Sequence, residues 1–232
     1  MDLSLLVILI ICVLIAAWFI RYVASIFFEN IEPSVTEKAK FLSSNLTVYY
    51  KHQIGAYSGT AAICQEIKSI VPSDCITFGI FYDSPEDVKE HLLQSAVGVI
   101  FSIDGKSLYS DNYAQQLTRL GYEKMNISKV GKTVQVIQRN RGFLSFFALL
   151  TNTYPILKKY IETHRLETTY SMEFYTSDHF YVYFPLENAE ELRVPEYKSV
   201  ERLEADMAKK CFDSDLSDSE SEPEQTTDME GN

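Results

Sequence analysis

The sequence predicts an α+β protein in three parts. An apolar N-terminal helix comes first, then one antiparallel sheet with helices covering one face, then an acidic disordered tail. Three observations carry this. Residues 3–20 are apolar and uncharged. Between residues 46 and 187 the order strand, helix, hairpin occurs twice, as two β-α-β-β repeats. The last 22 residues hold eight acids and no base. The boundaries that follow are 3–28 for the span and juxtamembrane segment, 29–45 for a linker, 46–187 for the domain, 188–210 for an exit segment and 211–232 for the tail.

Composition narrows the function classes. The 232 residues are 46% apolar, enough for a real core. The net charge of -11 argues against direct nucleic-acid binding, which wants a basic face. Four scattered Cys do not make a disulfide scaffold.

Residues 3–20 (LSLLVILIICVLIAAWFI) hold one hydroxyl, Ser4. At helical rise, eighteen residues span about 27 Å, close to a bilayer's hydrocarbon thickness. Trp18 and Tyr22 fall where an interfacial aromatic belt sits. A cleaved signal would carry a basic n-region, a shorter apolar run and an A-x-A site. A core helix would show one polar face, and this one is apolar all round. Bases follow the span, at Arg21, Lys38 and Lys40, and none precedes it. The positive-inside rule then makes the N-terminus lumenal and the rest cytosolic. The short span suits the thin membrane of the endoplasmic reticulum (ER). Cys64, Cys75 and Cys211 are an odd number, suited to a reducing compartment. Two N-glycosylation sequons, at Asn45 and Asn126, stand on the other side of the argument.

The middle reads in order. Residues 46–53 form a strand. Residues 57–71 form a helix ended by Pro72-Ser73-Asp74, and 76–82 form a second strand. A third strand, 96–103, closes at Asp104-Gly105, a hairpin signal. A short helix spans 110–119. The second copy starts with strand 132–139. Helix 143–163 follows, with Pro155 marking a break or a fresh first turn. Strands 170–176 and 179–186 pair across Ser177-Asp178. Helices should cover one sheet face, and the other face would be a concave cleft where the halves meet.

The tail lacks the apolar area to offset its ordering entropy, so disorder is expected. Ser214, Ser217, Ser219 and Ser221 lie among acids and are phosphorylation candidates for an acid-directed kinase. Phe212 and Leu216 are apolar anchors within the negative run.

Specific motifs point to a family. Gly79-Ile80-Phe81-Tyr82-Asp83-Ser84-Pro85, then Met172-Glu173-Phe174-Tyr175 followed by Tyr183-Phe184-Pro185-Leu186, resemble signatures of the GyrI-like (SOUL/GyrI superfamily) domain over about residues 46–187. With the span, Leu192-Arg193-Val194-Pro195-Glu196 and the acidic tail, the chain resembles animal, membrane-anchored members of that family. The resemblance implies a single-pass ER protein acting as an ER-phagy receptor, with possible autophagosome and nuclear-envelope pools. Such proteins bind ubiquitin-like autophagosome proteins by strand addition, through an aromatic-x-x-aliphatic motif among acids. Here Phe212 has Asp215 three residues on and Leu216 four on, a departure from that spacing. Tyr197 and Val200 fit the spacing but lie next to the domain. The resemblance also admits an unfolding ATPase as a partner.

The same family implies a ligand cleft. Glu173 would pair with organic cations among Tyr57, Tyr82 and Tyr175, by charge and cation–π attraction. Two other readings of Glu173 stay open: a strand-edge carboxylate facing water, and a structural one bonded to a neighbouring hydroxyl. No enzyme signature, phosphate loop, cofactor motif or metal-ligand spacing is present, so neither catalysis nor a metal is expected. Arg139 and Arg141, with Lys129 and Lys132, form a small basic cluster, either solvated surface or a partner for acidic headgroups.

Overall fold

The computed structural model describes residues 3–219. The chain begins with helix α1 (Leu3–Phe27), which is exposed through Arg21 and meets the rest of the protein from Tyr22 onward. It is long and apolar enough to cross a membrane. Nine antiparallel strands then make one sheet: β1 (Ser34–Thr36), β2 (Leu46–Ile54), β3 (Thr77–Phe81), β4 (Gln94–Ile103), β5 (Lys106–Ser107), β6 (Glu123–Ile127), β7 (Thr133–Arg139), β8 (Ser171–Tyr175) and β9 (His179–Pro185). Their order is β1-β7-β9-β8-β3-β4-β2-β6, with β5 paired to β4. The expected α+β class and single antiparallel sheet are therefore present.

Strand chemistry explains the layering. In β4 (QSAVGVIFSI) nearly every side chain is buried, as a central strand covered on both faces requires. Alternation sends Val97, Val99 and Phe101 to one face and Ala96 and Ile100 to the other. The first face carries helices. Ile67 of α2 (Thr60–Ile70) and Leu117 of α3 (Asp111–Arg119) pack on Tyr49, Val99 and Phe101. Leu149 and Leu157 pack on Val134, Val136, Phe180 and Val182.

Those two leucines belong to one long helical run. Gly142, at φ 96, turns the chain out of β7 into α4 (Phe143–Ala148). A π turn (Leu149–Thr153) follows, then α5 (Tyr154–His164) with Pro155 in its first turn. The π turn is tied to β7 by Gln138, whose amide donates to the Ser145 carbonyl (2.7 Å) and accepts from the Thr153 hydroxyl (2.5 Å).

The opposite face departs from expectation. It is filled, not an open cleft. Ala39, Phe41 and Leu42 come from the segment read as a linker, and Leu192 and Val194 from the exit segment. All five join Phe78, Ile80, Met172, Phe174, Tyr181 and Tyr183 in the largest core cluster. Phe41 lies 4.6 Å from Phe174 and edge-on to Tyr181 at 5.2 Å. Thus the body extends beyond 46–187 on both sides, and 29–45 also supplies β1. The five apolar residues of 29–45 (Ile31, Val35, Ala39, Phe41 and Leu42) are scattered among polar ones, although Ala39, Phe41 and Leu42 fit one apolar hollow.

The C-terminal end departs as well. Helix α6 (Val200–Ser219) runs through the first nine residues of the predicted disordered tail. Leu203 is buried against the body, and Lys198 pairs with Asp206 at 2.6 Å. Ala205, Met207, Ala208, Lys209 and Lys210 are strong helix formers that carry the backbone onward from that start.

Candidate functional site

Glu173 sits in the middle of β8, the strand that pairs with β3. Its neighbours Met172 and Phe174 enter the filled face, so Glu173 points to the helix side. Its register partners are Gly79 on β3 and Val182 on β9. Gly79 leaves room there: a Cβ at this position would meet the Phe81 ring at 2.9 Å. Phe81 in turn packs edge-on to Tyr57 at 4.8 Å.

The carboxylate is 4% exposed and bonded on both oxygens. The Tyr154 hydroxyl donates to Oε1, and the Tyr175 hydroxyl donates to Oε2 at 2.5 Å. Burial pushes the Glu173 pKa up, against the lowering effect of the two hydroxyls. Both tyrosines are pushed well above the ordinary phenol value, by burial first and then by the Glu173 charge. Of the three readings of Glu173, the structure matches the carboxylate bonded to neighbouring hydroxyls. The site can hold a proton or a negative charge. A cation could reach it only by displacing a phenol.

The other cleft candidates divide. Tyr175 bonds Glu173 directly. Tyr57 opens the 3-10 turn (Tyr57–Gly59) just before α2 on the same face, and its hydroxyl donates to the Asp83 carbonyl at 2.7 Å. Tyr82 is on the opposite face, with a structural task. Its hydroxyl donates to the Leu192 carbonyl (2.8 Å) and accepts from the Val194 N–H (3.2 Å), which straps the exit segment to the sheet. Tyr154 was not singled out from the sequence. The available signal was Pro155: a proline at a first helical turn fixes the preceding residue at the helix start, here beside β8.

The docking candidates are placed as follows. Tyr197 is half-buried, 4.8 Å from Tyr82 and 5.5 Å from the Arg193 guanidinium. Its N–H donates to the Val194 carbonyl, and Val200 is the first residue of α6, so Tyr197–Val200 is a turn into a helix and not an extended strand. Phe212, Ser214, Leu216, Ser217 and Ser219 lie on the α6 backbone. Ser221 lies outside the described residues. No group of three or more His, Cys, Asp or Glu able to hold a metal occurs among the described residues.

Fold and site together define a class: an α+β, single-sheet domain with an N-terminal apolar helix of membrane-spanning length. No family model matches the sequence. The chain is 26% identical to the mouse (Mus musculus) "testis-expressed protein 264 homolog" over 164 residues, 71% of this chain and 52% of that protein. It thus spans about half the length of this curated relative. That likeness and the apolar helix fit a membrane protein. Among solved structures, the EcmrR C-terminal domain aligns at 15% identity and TM-score 0.41, over 68% of this chain and 97% of the other. An uncharacterized conserved protein from Listeria innocua aligns at 9% identity and TM-score 0.40, over 66% and 91%.

Proposed function

We propose that the protein is a single-pass ER-membrane adaptor that acts as a selective autophagy (ER-phagy) receptor. Its domain and acidic C-terminal segment face the cytosol and engage ubiquitin-like autophagosome proteins. The domain is read as GyrI-like, with halves β2-α2-β3-β4 and β7-α4-α5-β8-β9. The strand order supports this: β2-β4-β3 and β7-β9-β8 are matching triplets that meet at β3 and β8.

The observation that carries the adaptor reading is the saturation of the sheet. One face is covered by helices and the other by residues 39–42 and 192–194, and Glu173, the one buried carboxylate among the described residues, is taken by two phenols. A body filled in this way suits a scaffold that presents an anchor at one end and an acidic segment at the other. Phosphorylation at Ser214, Ser217, Ser219 and Ser221 would each add about -1.5 to -2 charge to that segment.

Capture of the full chain by immobilised ubiquitin-like autophagosome proteins tests this. Phe212→Ala with Leu216→Ala is expected to abolish capture. Tyr197→Ala is a second arm, read beside a stability measurement because Tyr197 also packs on Tyr82. A chain phosphorylated by an acid-directed kinase that still is not captured contradicts the proposal.

The cluster of Glu173, Tyr154 and Tyr175 favours a second reading, a membrane-tethered sensor of organic cations without catalysis. A cation there would displace the phenols and meet aromatic faces. It predicts a rise in melting temperature with a cation panel, lost in Glu173→Gln. A flat response across the panel ends that reading.

A further inference from the structure

The start of the long helical run carries an unusual surface. Phe143, Phe146, Phe147 and Leu150 follow the i, i+3, i+4, i+7 spacing that gathers side chains on one helix face. A globular helix buries such a stripe. This one is exposed, by 75%, 43%, 44% and 50% respectively. The buried positions of the same segment are instead Ser145, Ala148, Leu149 and Thr153. Phe143 and Phe147 stack edge to face at 4.9 Å, so the tip of the stripe is a preformed aromatic pair. A contiguous exposed apolar face of this kind marks a contact with another apolar phase.

Position identifies the phase. The end of α1 is bonded to this corner of the body. The Tyr22 hydroxyl donates to the Arg141 carbonyl at 2.6 Å, and the Arg141 guanidinium donates to the Ser25 carbonyl at 3.2 Å and to its hydroxyl. The Asn152 amide donates to the Phe27 carbonyl at 2.7 Å. Tyr22 also stacks on Trp18, with centroids 5.7 Å apart, at the end of the apolar run. Phe143 is two residues from Arg141, so its backbone lies within about 7 Å of the carbonyl that Tyr22 holds. The polar layer on each side of a bilayer is itself only about 5–8 Å thick. With α1 read as a span, this corner, and Phe143 with it, falls at headgroup level. Arg139, whose side chain is largely exposed with its guanidinium 4.0 Å from Glu29, precedes the stripe by four residues, and Arg21 is exposed at the end of the apolar run.

We propose that this stripe is a second membrane contact. Phe143, Phe146, Phe147 and Leu150 enter the boundary between headgroups and acyl chains in the leaflet where α1 ends, and Arg21 and Arg139 meet anionic headgroups. Two attachments, a span and an interfacial helix face, fix the tilt of the domain on the membrane. The inference rests on the reading of α1 as a membrane span, and the test separates the two.

Trp18 is the sole tryptophan of the chain, which makes the measurement direct. The full-length protein is reconstituted in vesicles containing anionic lipid, with and without lipids that carry a doxyl quencher near the headgroup end of the acyl chain. Wild type reports on Trp18, and the W18F/F143W variant reports on the stripe. Both are expected to lose emission to the quencher, because an interfacial helix buries its apolar face about 5–10 Å into the headgroup–acyl boundary, where the doxyl group sits. Quenching of wild type without quenching of W18F/F143W overturns the stripe and leaves the span intact. Quenching of neither overturns both. Blue-shifted but unquenched emission from W18F/F143W means that protein covers the stripe, which overturns the lipid assignment.

Discussion

At Glu173 the chain buries a carboxylate between two phenols, and this has a pH signature. Burial raises the pKa in the folded state above the unfolded value of about 4.3. A raised acid contributes its stability fully below the unfolded pKa and loses it as pH rises through the folded pKa. Glu173→Gln removes that titration. The melting temperature of the variant minus that of wild type is therefore expected to increase from about pH 4 to pH 8. A pH-independent difference contradicts the buried, raised carboxylate. Tyr82 offers a test on the other face. Tyr82→Phe strands the Leu192 carbonyl and the Val194 N–H in the core, and should cost about 1–3 kcal/mol in denaturant unfolding. A cost near zero would mean that the strap is not held there. Glu173 and Tyr175 were legible in the sequence as neighbours on one hairpin. Tyr154 was not, because its link to them crosses from helix to sheet, and no local spacing encodes that.

Among the elements, six of the nine strands and the long helical run follow their sequence signals closely, since β-branched and aromatic runs, Pro155 and Asp104-Gly105 are local, whereas the short strands β1, β5 and β6 carry no such run and go unpredicted. The segments around the domain do not. Residues 39–42 carry too few apolar side chains to look structured, yet Phe41 and Leu42 are almost wholly buried. Their role arises from the shape of a hollow built by distant strands. Phe41→Ala is expected to cost about 3–5 kcal/mol by denaturant unfolding, as for a core aromatic. A true linker position would stay within about 0.5 kcal/mol. The tail shows the same limit of local reading. Acid count marked residue 211 as a boundary, whereas α6 starts at Val200 on tertiary contacts, with Leu203 buried and Glu204 paired to Lys89 at 3.2 Å, and runs past it.

For the whole molecule, the proposed cytosol-facing adaptor joins an apolar anchor, a filled sheet and an acidic C-terminal segment. Orientation is the claim on which the rest depends, since autophagosome proteins reach only the cytosolic side. The fold supplies two built-in reporters. Asn45 and Asn126 are both exposed, and Thr47 of the first sequon donates to the Asn126 side chain at 3.0 Å, so both acceptors lie together at one sheet edge. The most direct test is glycosidase-sensitive mobility of the full-length protein in cells. Asn45→Gln and Asn126→Gln serve as controls, and an N-terminal extension carrying an added sequon serves as the positive control. The account predicts a glycan on the extension and none at Asn45 or Asn126. A glycosidase-sensitive shift that either substitution removes would put the domain and the acidic segment in the lumen and contradict it.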